Sequence, residues 1–284
     1  MKRLFLAVLF SACLIPGARA AWWAENDYAT GSNGLKKDSL TLFTNAAPRV
    51  TAGLNAAFYR DTANHPDRVY SFRLPVTYAG DKFSLSAKPF VYPVSATTRA
   101  GASGSKVYAL LSLDEDPEAG YLRLAFSGAW ASQKARVNNA ANIKTFSQSA
   151  YEVQVEKSFF EQFFFLASAS GFTRPAGVSN STLVDPAMDQ AEMAYLGTFR
   201  QVTAIPEWAM AVQVARSMKP DFDSHLYAGY SKISYRGMTA ANSAIVGMKI
   251  GLTEKSTLDL AYNMYKDESA NWKNYYKILL QVFF

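Results

Sequence analysis

Alternation of apolar and polar residues with a period of two runs through most of this chain after residue 20, and nothing else constrains its fold as strongly. In 256–265 one parity holds Leu258, Leu260, Tyr262 and Met264, and the other holds Thr257, Asp259, Ala261 and Asn263. Successive side chains of an extended strand point to opposite faces, so such a segment has one greasy side and one wet side. The split recurs at 149–157, where Tyr151, Val153 and Val155 oppose Glu152, Gln154 and Glu156, and at 121–130, where Leu122, Leu124, Phe126 and Trp130 oppose Arg123 and Ser127. Segments 49–60, 68–78 and 82–92 repeat it, with Arg73 and Lys88 on the polar parity. Segments 106–114, 192–200, 207–215, 225–235 and 245–252 follow the pattern, and 162–172 is ambiguous because Phe163, Phe164 and Phe165 run together. Counting 39–44 as well gives about fourteen strands. No segment after residue 20 has a helical period or the roughly 18 consecutive apolar residues of a membrane-spanning helix. The expected class is all-β.

The first twenty residues read as a targeting segment. Lys2 and Arg3 precede an apolar stretch from Leu4 to Ile15, Pro16-Gly17 breaks it, and Ala18-Arg19-Ala20 has the small-x-small form of a cleavage site. The expected organisation is a signal peptide at 1–20 and one domain at 21–284. Ser11-Ala12-Cys13 also loosely resembles a lipoprotein box, which would make Cys13 a lipidated first residue. Otherwise the only cysteine leaves with the signal, and neither disulfides nor thiol catalysis are available to the mature chain. Losing Lys2, Arg3 and Arg19 takes the formal charge from +6 to +3, and the remaining cations are scattered singly, which argues against nucleic-acid binding.

A soluble sandwich hides its apolar faces between two sheets, whereas a membrane barrel turns them outward to lipid. The segment length, about 9–12 residues, matches a tilted strand crossing a bilayer and exceeds the common length of soluble strands. Aromatics, 14% of the chain, recur at segment ends as interfacial girdles require: Tyr59, Tyr70, Tyr78, Tyr92, Tyr121, Trp130, Trp208, Tyr235, Tyr265 and Tyr276. The last residue is Phe284, and counting backward by twos gives Val282, Leu280, Ile278 and Tyr276.

This ending resembles the terminal strand of Gram-negative outer-membrane β-barrel proteins, which close on an aromatic residue with apolar residues at alternate preceding positions. The resemblance implies a single antiparallel up-and-down barrel sealed by pairing of the last strand with the first. It also implies that Tyr276, Ile278, Leu280, Val282 and Phe284 form the signal read by the outer-membrane insertion machinery. Physics requires closure, because each unpaired backbone group in hydrocarbon costs several kcal/mol. An even count near fourteen, within 12 to 16, is expected.

Connection lengths predict short periplasmic turns near 46–48, 80–81, 116–120, 159–162 and 202–206, and longer outer connections at 61–67, 93–105, 133–148 and 173–191. The alternation fails after residue 236, so one strand is missing before Ser39, with 22–30 the candidate. The 173–191 connection, which holds Pro175 and Pro186, is the segment expected to fold over or into the mouth, unless it is a surface loop shaped by hydration alone.

Catalytic groups are scarce. The only histidines are His65, expected in a loop before Pro66, and His225. Asp223-Ser224-His225 and Asp114-Glu115-Asp116 loosely resemble the paired motifs of the omptin outer-membrane proteases, which converge on a water at the extracellular mouth. The strand count above sets the two clusters at opposite ends, and that separation argues against omptin-like hydrolysis. There is no phospholipase-type His-x-Ser, no Walker or dinucleotide glycine pattern, and no cysteine or histidine set for a metal. No cofactor is indicated.

What remains is the lumen. The polar parity offers Arg73, Lys88, Arg123, Glu152, Gln154, Glu156, Lys249, Asp259 and Lys277 as candidate pore-lining residues, with Lys82, Lys232, Arg200, Asp114 and Glu192 on the same reading. Either water separates these charges and leaves a transverse field, or they meet and plug the barrel with ion pairs. The expected function is a monomeric, porin-like passive channel for small hydrophilic solutes, whose partners are outer-membrane lipid and the insertion machinery. The alternative is a non-conducting barrel serving surface interaction, envelope assembly or export.

Overall fold

The computed structural model describes residues 21–61, 65–94, 101–116, 120–137, 143–159, 162–178, 184–185, 205–218 and 224–284. The signal segment, 192–200 with Glu192 and Arg200, and Asp223 lie outside these residues. Sixteen extended segments form one sheet: β1 (Trp22–Gly31), β2 (Leu35–Ala47), β3 (Val50–Asp61), β4 (His65–Arg73), β5 (Val76–Ala79), β6 (Phe83–Tyr92), β7 (Gly101–Asp116) and β8 (Gly120–Val137), then β9 (Ile143–Phe159), β10 (Phe163–Phe172), β11 (Val184–Asp185), β12 (Pro206–Ser217), β13 (His225–Tyr235), β14 (Ala241–Thr253), β15 (Ser256–Lys266) and β16 (Trp272–Phe283).

The sheet is a closed antiparallel barrel of 14 strands. β4 and β5 make one stave, interrupted at Leu74 and Pro75, where the missing proline N–H breaks the ladder. β11 is a two-residue piece beside the end of β8. β16 pairs with β1 from Trp23 opposite Phe283 to Gly31 opposite Tyr275, and the Phe284 amide donates to the Trp22 carbonyl at 2.8 Å. No sheet edge is left for hydrocarbon to meet.

Exposure alternates along the staves in the sense the sequence demands. Leu85, Val107, Phe126, Val153, Val212, Val246 and Ile278 are exposed, while their chain neighbours on the other parity face inward. Large apolar side chains left in the open around a whole barrel have one suitable solvent, the acyl chains of a bilayer. A hydrogen-bonded pair, Asn26 Nδ2 to Asp38 Oδ1 at 2.9 Å, interrupts this band on β1 and β2. The five aromatics Tyr70, Tyr78, Trp130, Trp208 and Tyr276 are on the outward parity. Tyr59, Tyr92, Tyr121, Tyr235 and Tyr265 are not. They share the inward parity of their strands, so aromatic position near a strand end does not by itself make a girdle.

Both ends of the described chain and the tight turns share one rim, the periplasmic one in the orientation such barrels take. β1 supplies the first stave expected at 22–30. Three expectations are corrected here. β10 pairs directly with β12, so Pro206, expected to end a periplasmic turn, opens β12 at the extracellular end. Strand direction therefore flips between 173 and 206, and His225 begins β13 at the periplasmic rim instead of the outer one. His65, expected in a loop, opens β4.

Candidate functional site

The interior has two halves of different chemistry. In the extracellular half the inward side chains form a buried apolar cluster that includes Leu35, Val69, Phe90, Tyr92, Phe146 and Phe172, with Ile233, Tyr235, Tyr265 and Tyr275 on the opposite wall. Val178 and Ile205, which begin and end the β10–β12 connection, belong to the same cluster, and Pro175 is fully buried beside it. The two ends of that connection therefore lie inside the mouth. Polar side chains pin them: Gln148 Nε2 donates to the carbonyls of Thr173 (3.0 Å) and Pro206 (3.3 Å), Lys144 Nζ to that of Gly177 (3.0 Å), and the Arg236 guanidinium to that of Phe172 (3.0 Å).

Below this cluster the wall is polar. All nine candidate lumen residues occupy the inward parity. Arg73, Lys88, Glu152 and Lys277 lie near the middle of their staves. Arg73, only 4% exposed, donates to the hydroxyls of Tyr59 (2.9 Å) and Tyr92 (2.8 Å) and to Asn55 Oδ1 (3.5 Å). Two phenols and an amide solvate the guanidinium where bulk water cannot, and this offsets the cost of burying its charge. Asn55 in turn donates to Ser39 Oγ and Thr41 Oγ1, both at 2.8 Å.

The remaining charges meet partners on adjacent staves. Lys277 Nζ stands 3.3 Å from Asp259 Oδ2, and Tyr227 donates to the other Asp259 oxygen at 2.7 Å. Lys249 is the register partner of Asp259 on its far side. Glu152 faces Lys106 at 3.7 Å, and Gln154 Nε2 donates to Glu156 Oε1 at 2.5 Å. Arg123 lies opposite Glu156 in register and stacks over the Tyr121 ring at 4.1 Å. Several of the charges thus meet partners along the wall.

Arg73 and Lys88 also line a recess of ≈ 200 Å³ with Glu25, Asp27, Lys37, Ser39, Thr41, Asn55 and the apolar Phe43, Pro75 and Leu279. Lys37 Nζ binds Asp27 Oδ2 at 2.6 Å, and Gln281 Nε2 donates to Glu25 Oε1 at 2.8 Å. The recess carries Glu25 and the Asp27–Lys37 pair on the β1 and β2 side and the cations Arg73 and Lys88 on the β4 and β6 side, an uneven charge distribution of the kind that orients a polar solute. Toward the periplasm, inward Trp23 stacks on Phe43 at 4.9 Å and approaches Phe283 at 6.2 Å.

Sequence reasoning missed Glu25, Asp27, Lys37 and Lys106. Glu25 and Asp27 do alternate with Ala24, Asn26 and Tyr28, the same signal used elsewhere, and Lys37 falls before Ser39, where the second strand had been started. Lys232 was expected inside. It leaves the outer face instead, because Ser231 and Ile233 on either side of it are buried inward.

His225 and the 114–116 turn both lie at the periplasmic rim, with β8, β9, β10 and β12 between their strands on the shorter path around the barrel. The expected opposite-ends separation is thus replaced by separation around the circumference.

No protein-family model matches the chain. No curated protein matches it either. Solved structures with the same kind of fold include the CymD monoaromatic hydrocarbon channel, at 12% identity and TM-score 0.49 over 93% of this chain and 87% of that one. A loop-deletion form of OmpT, an outer membrane protein of Vibrio cholerae, aligns at 9% identity and TM-score 0.48 over 93% and 99% of the two chains. Pseudomonas aeruginosa OccK11 aligns at 8% and 0.47 over 93% and 95%.

Proposed function

We propose that this chain is an outer-membrane barrel that passes small hydrophilic solutes passively, with no chemical step. The observation that carries the reading is the polar interior at mid-height: charged and amide side chains on successive staves, and a solvent-sized recess with an uneven charge distribution. Side chains of that kind lower the cost of moving a hydrated solute through a low-dielectric wall. The buried cluster at the mouth narrows the outer half, so the solutes are small. The terminal strand, with Tyr276, Ile278, Leu280 and Val282 facing lipid and Phe284 at the end, serves as the signal for the insertion machinery, and the working unit is a monomer.

Reconstitution of the pure, folded protein in planar bilayers tests this. Discrete conductance steps are expected, and their absence from protein whose folding has been verified would defeat it. A second reading, a non-conducting barrel for envelope assembly or export, is favoured by the packed apolar mouth. It predicts no steps and a periplasmic partner recovered by crosslinking. A hydrolase would need measurable turnover that disappears in His225→Ala.

A further inference from the structure

We propose that the outer wall carries, near its extracellular rim, a binding site for the phosphate of an anionic lipid headgroup, built from Lys232 and Lys266 on either side of Asn242. The three residues form a lateral row across three staves: Lys232 of β13 is the register partner of Asn242 of β14, and Asn242 is the partner of Lys266 of β15. Their inward neighbours Ser231, Ile233, Ala241, Ser243 and Tyr265 are all buried, so the side chains of the row leave on the lipid side. Adjacent strands lie about 4.8 Å apart, which spaces the two lysine backbones by roughly 10 Å with an amide between them.

The donors are free to face outward. Asn242 Oδ1 accepts from Tyr230 at 2.6 Å, so the amide turns its N–H groups away from that bond. Each ammonium is held over an indole, Lys232 over Trp208 at 5.8 Å and Lys266 over Trp272 at 5.8 Å, and neither has an acid partner among the described residues. Cation–π contact positions the lysine without neutralising it. The carboxylate nearest in sequence, Asp267, is buried on the inward side and is bound to Lys273 at 2.8 Å. The row thus presents two cations and an amide donor, and no ion pair joins either lysine to an acid among the described residues.

The height decides the source of the phosphate. Trp208, Trp272 and Tyr276 mark an interfacial belt here, where headgroups lie and aromatic rings prefer to sit. Met210 extends the row as the register partner of Lys232, and below it Val246, Leu260 and Met264 give acyl chains an apolar wall. A lipid satisfies both halves of this surface, whereas a free anion uses only the upper one. The site is independent of any transport role.

The test uses the full folded barrel in a neutral detergent, titrated with phosphatidic acid or with phosphatidylcholine and read by native mass spectrometry for retained lipid. Phosphatidic acid is expected to be retained in preference. K232Q/K266Q should weaken that retention by about fivefold for each lysine removed. K157Q, at the opposite rim, should retain lipid as the unmodified protein does. Folding is checked by the mobility shift on boiling, and single K266Q serves if the double variant misfolds. Equal retention of the two lipids, unchanged retention in the lysine variants, or displacement by inorganic phosphate at a concentration matched to the lipid would each overturn the proposal.

Discussion

Replacing Val212 with arginine tests the orientation on which every functional statement rests. Val212 is near the middle of β12, between Ala167 and Tyr230 in register, and 46% of it is exposed. If that exposure is to acyl chains, a charge at this depth costs about 2–4 kcal/mol, or about 30- to 700-fold in the folding equilibrium. The adjacent Gln213 has the inward parity, and Gln213→Arg adds a charge to a wall that already holds several, so its cost should stay below about 1 kcal/mol. The assay is equilibrium unfolding of the barrel from lipid vesicles, with the unboiled gel shift as the measure of folded protein. A neutral Val212→Arg, or equal losses from the two arginines, would refute the assignment of an outer lipid face and an inner polar face.

Arg73→Ala removes the guanidinium that joins Tyr59, Tyr92 and Asn55, and should destabilise the barrel by about 1.5–3 kcal/mol. In bilayers the same variant should shift the reversal potential toward cation preference, and an unchanged potential would remove Arg73 from the solute path. At Gly104 an added Cβ would meet the Trp130 carbonyl oxygen and Ala131 Cα, backbone atoms that cannot swing aside, so Gly104→Ala should cost about 1–3 kcal/mol in the same unfolding assay, and a neutral result would refute the close approach of β7 and β8 there. Deleting Phe284 removes the amide that donates to Trp22 across the closing seam. Insertion by purified assembly machinery should slow markedly, while spontaneous folding in detergent changes little; equal rates would separate this ending from the insertion signal.

The repeating two-residue alternation established strand class and which parity of most staves shares a face, and segment length with the terminal aromatic strand turned the apolar face toward a membrane. That information is local: one face must suit hydrocarbon and the other water, so Asp259, Glu152 and Lys277 declare their side without reference to any neighbour. Counting staves was another matter. The broken alternation already required a strand before Ser39, which β1 supplies, but the sequence could not show that β10 pairs directly with β12, and placing a further crossing between them inverted the expected end for His225. Which charges meet also lay beyond the sequence. Lys37 finds Asp27 and Lys277 finds Asp259 because neighbouring strands are locked in one register, and register is a property of the pair. The two-chambered interior belongs to the tertiary structure for the same reason: Tyr92, Phe172, Ile233 and Tyr275 come from distant parts of the chain and become one cluster only when the seam between β16 and β1 has closed. Lys232 and Lys266 likewise stand in line only because β14 lies between their strands.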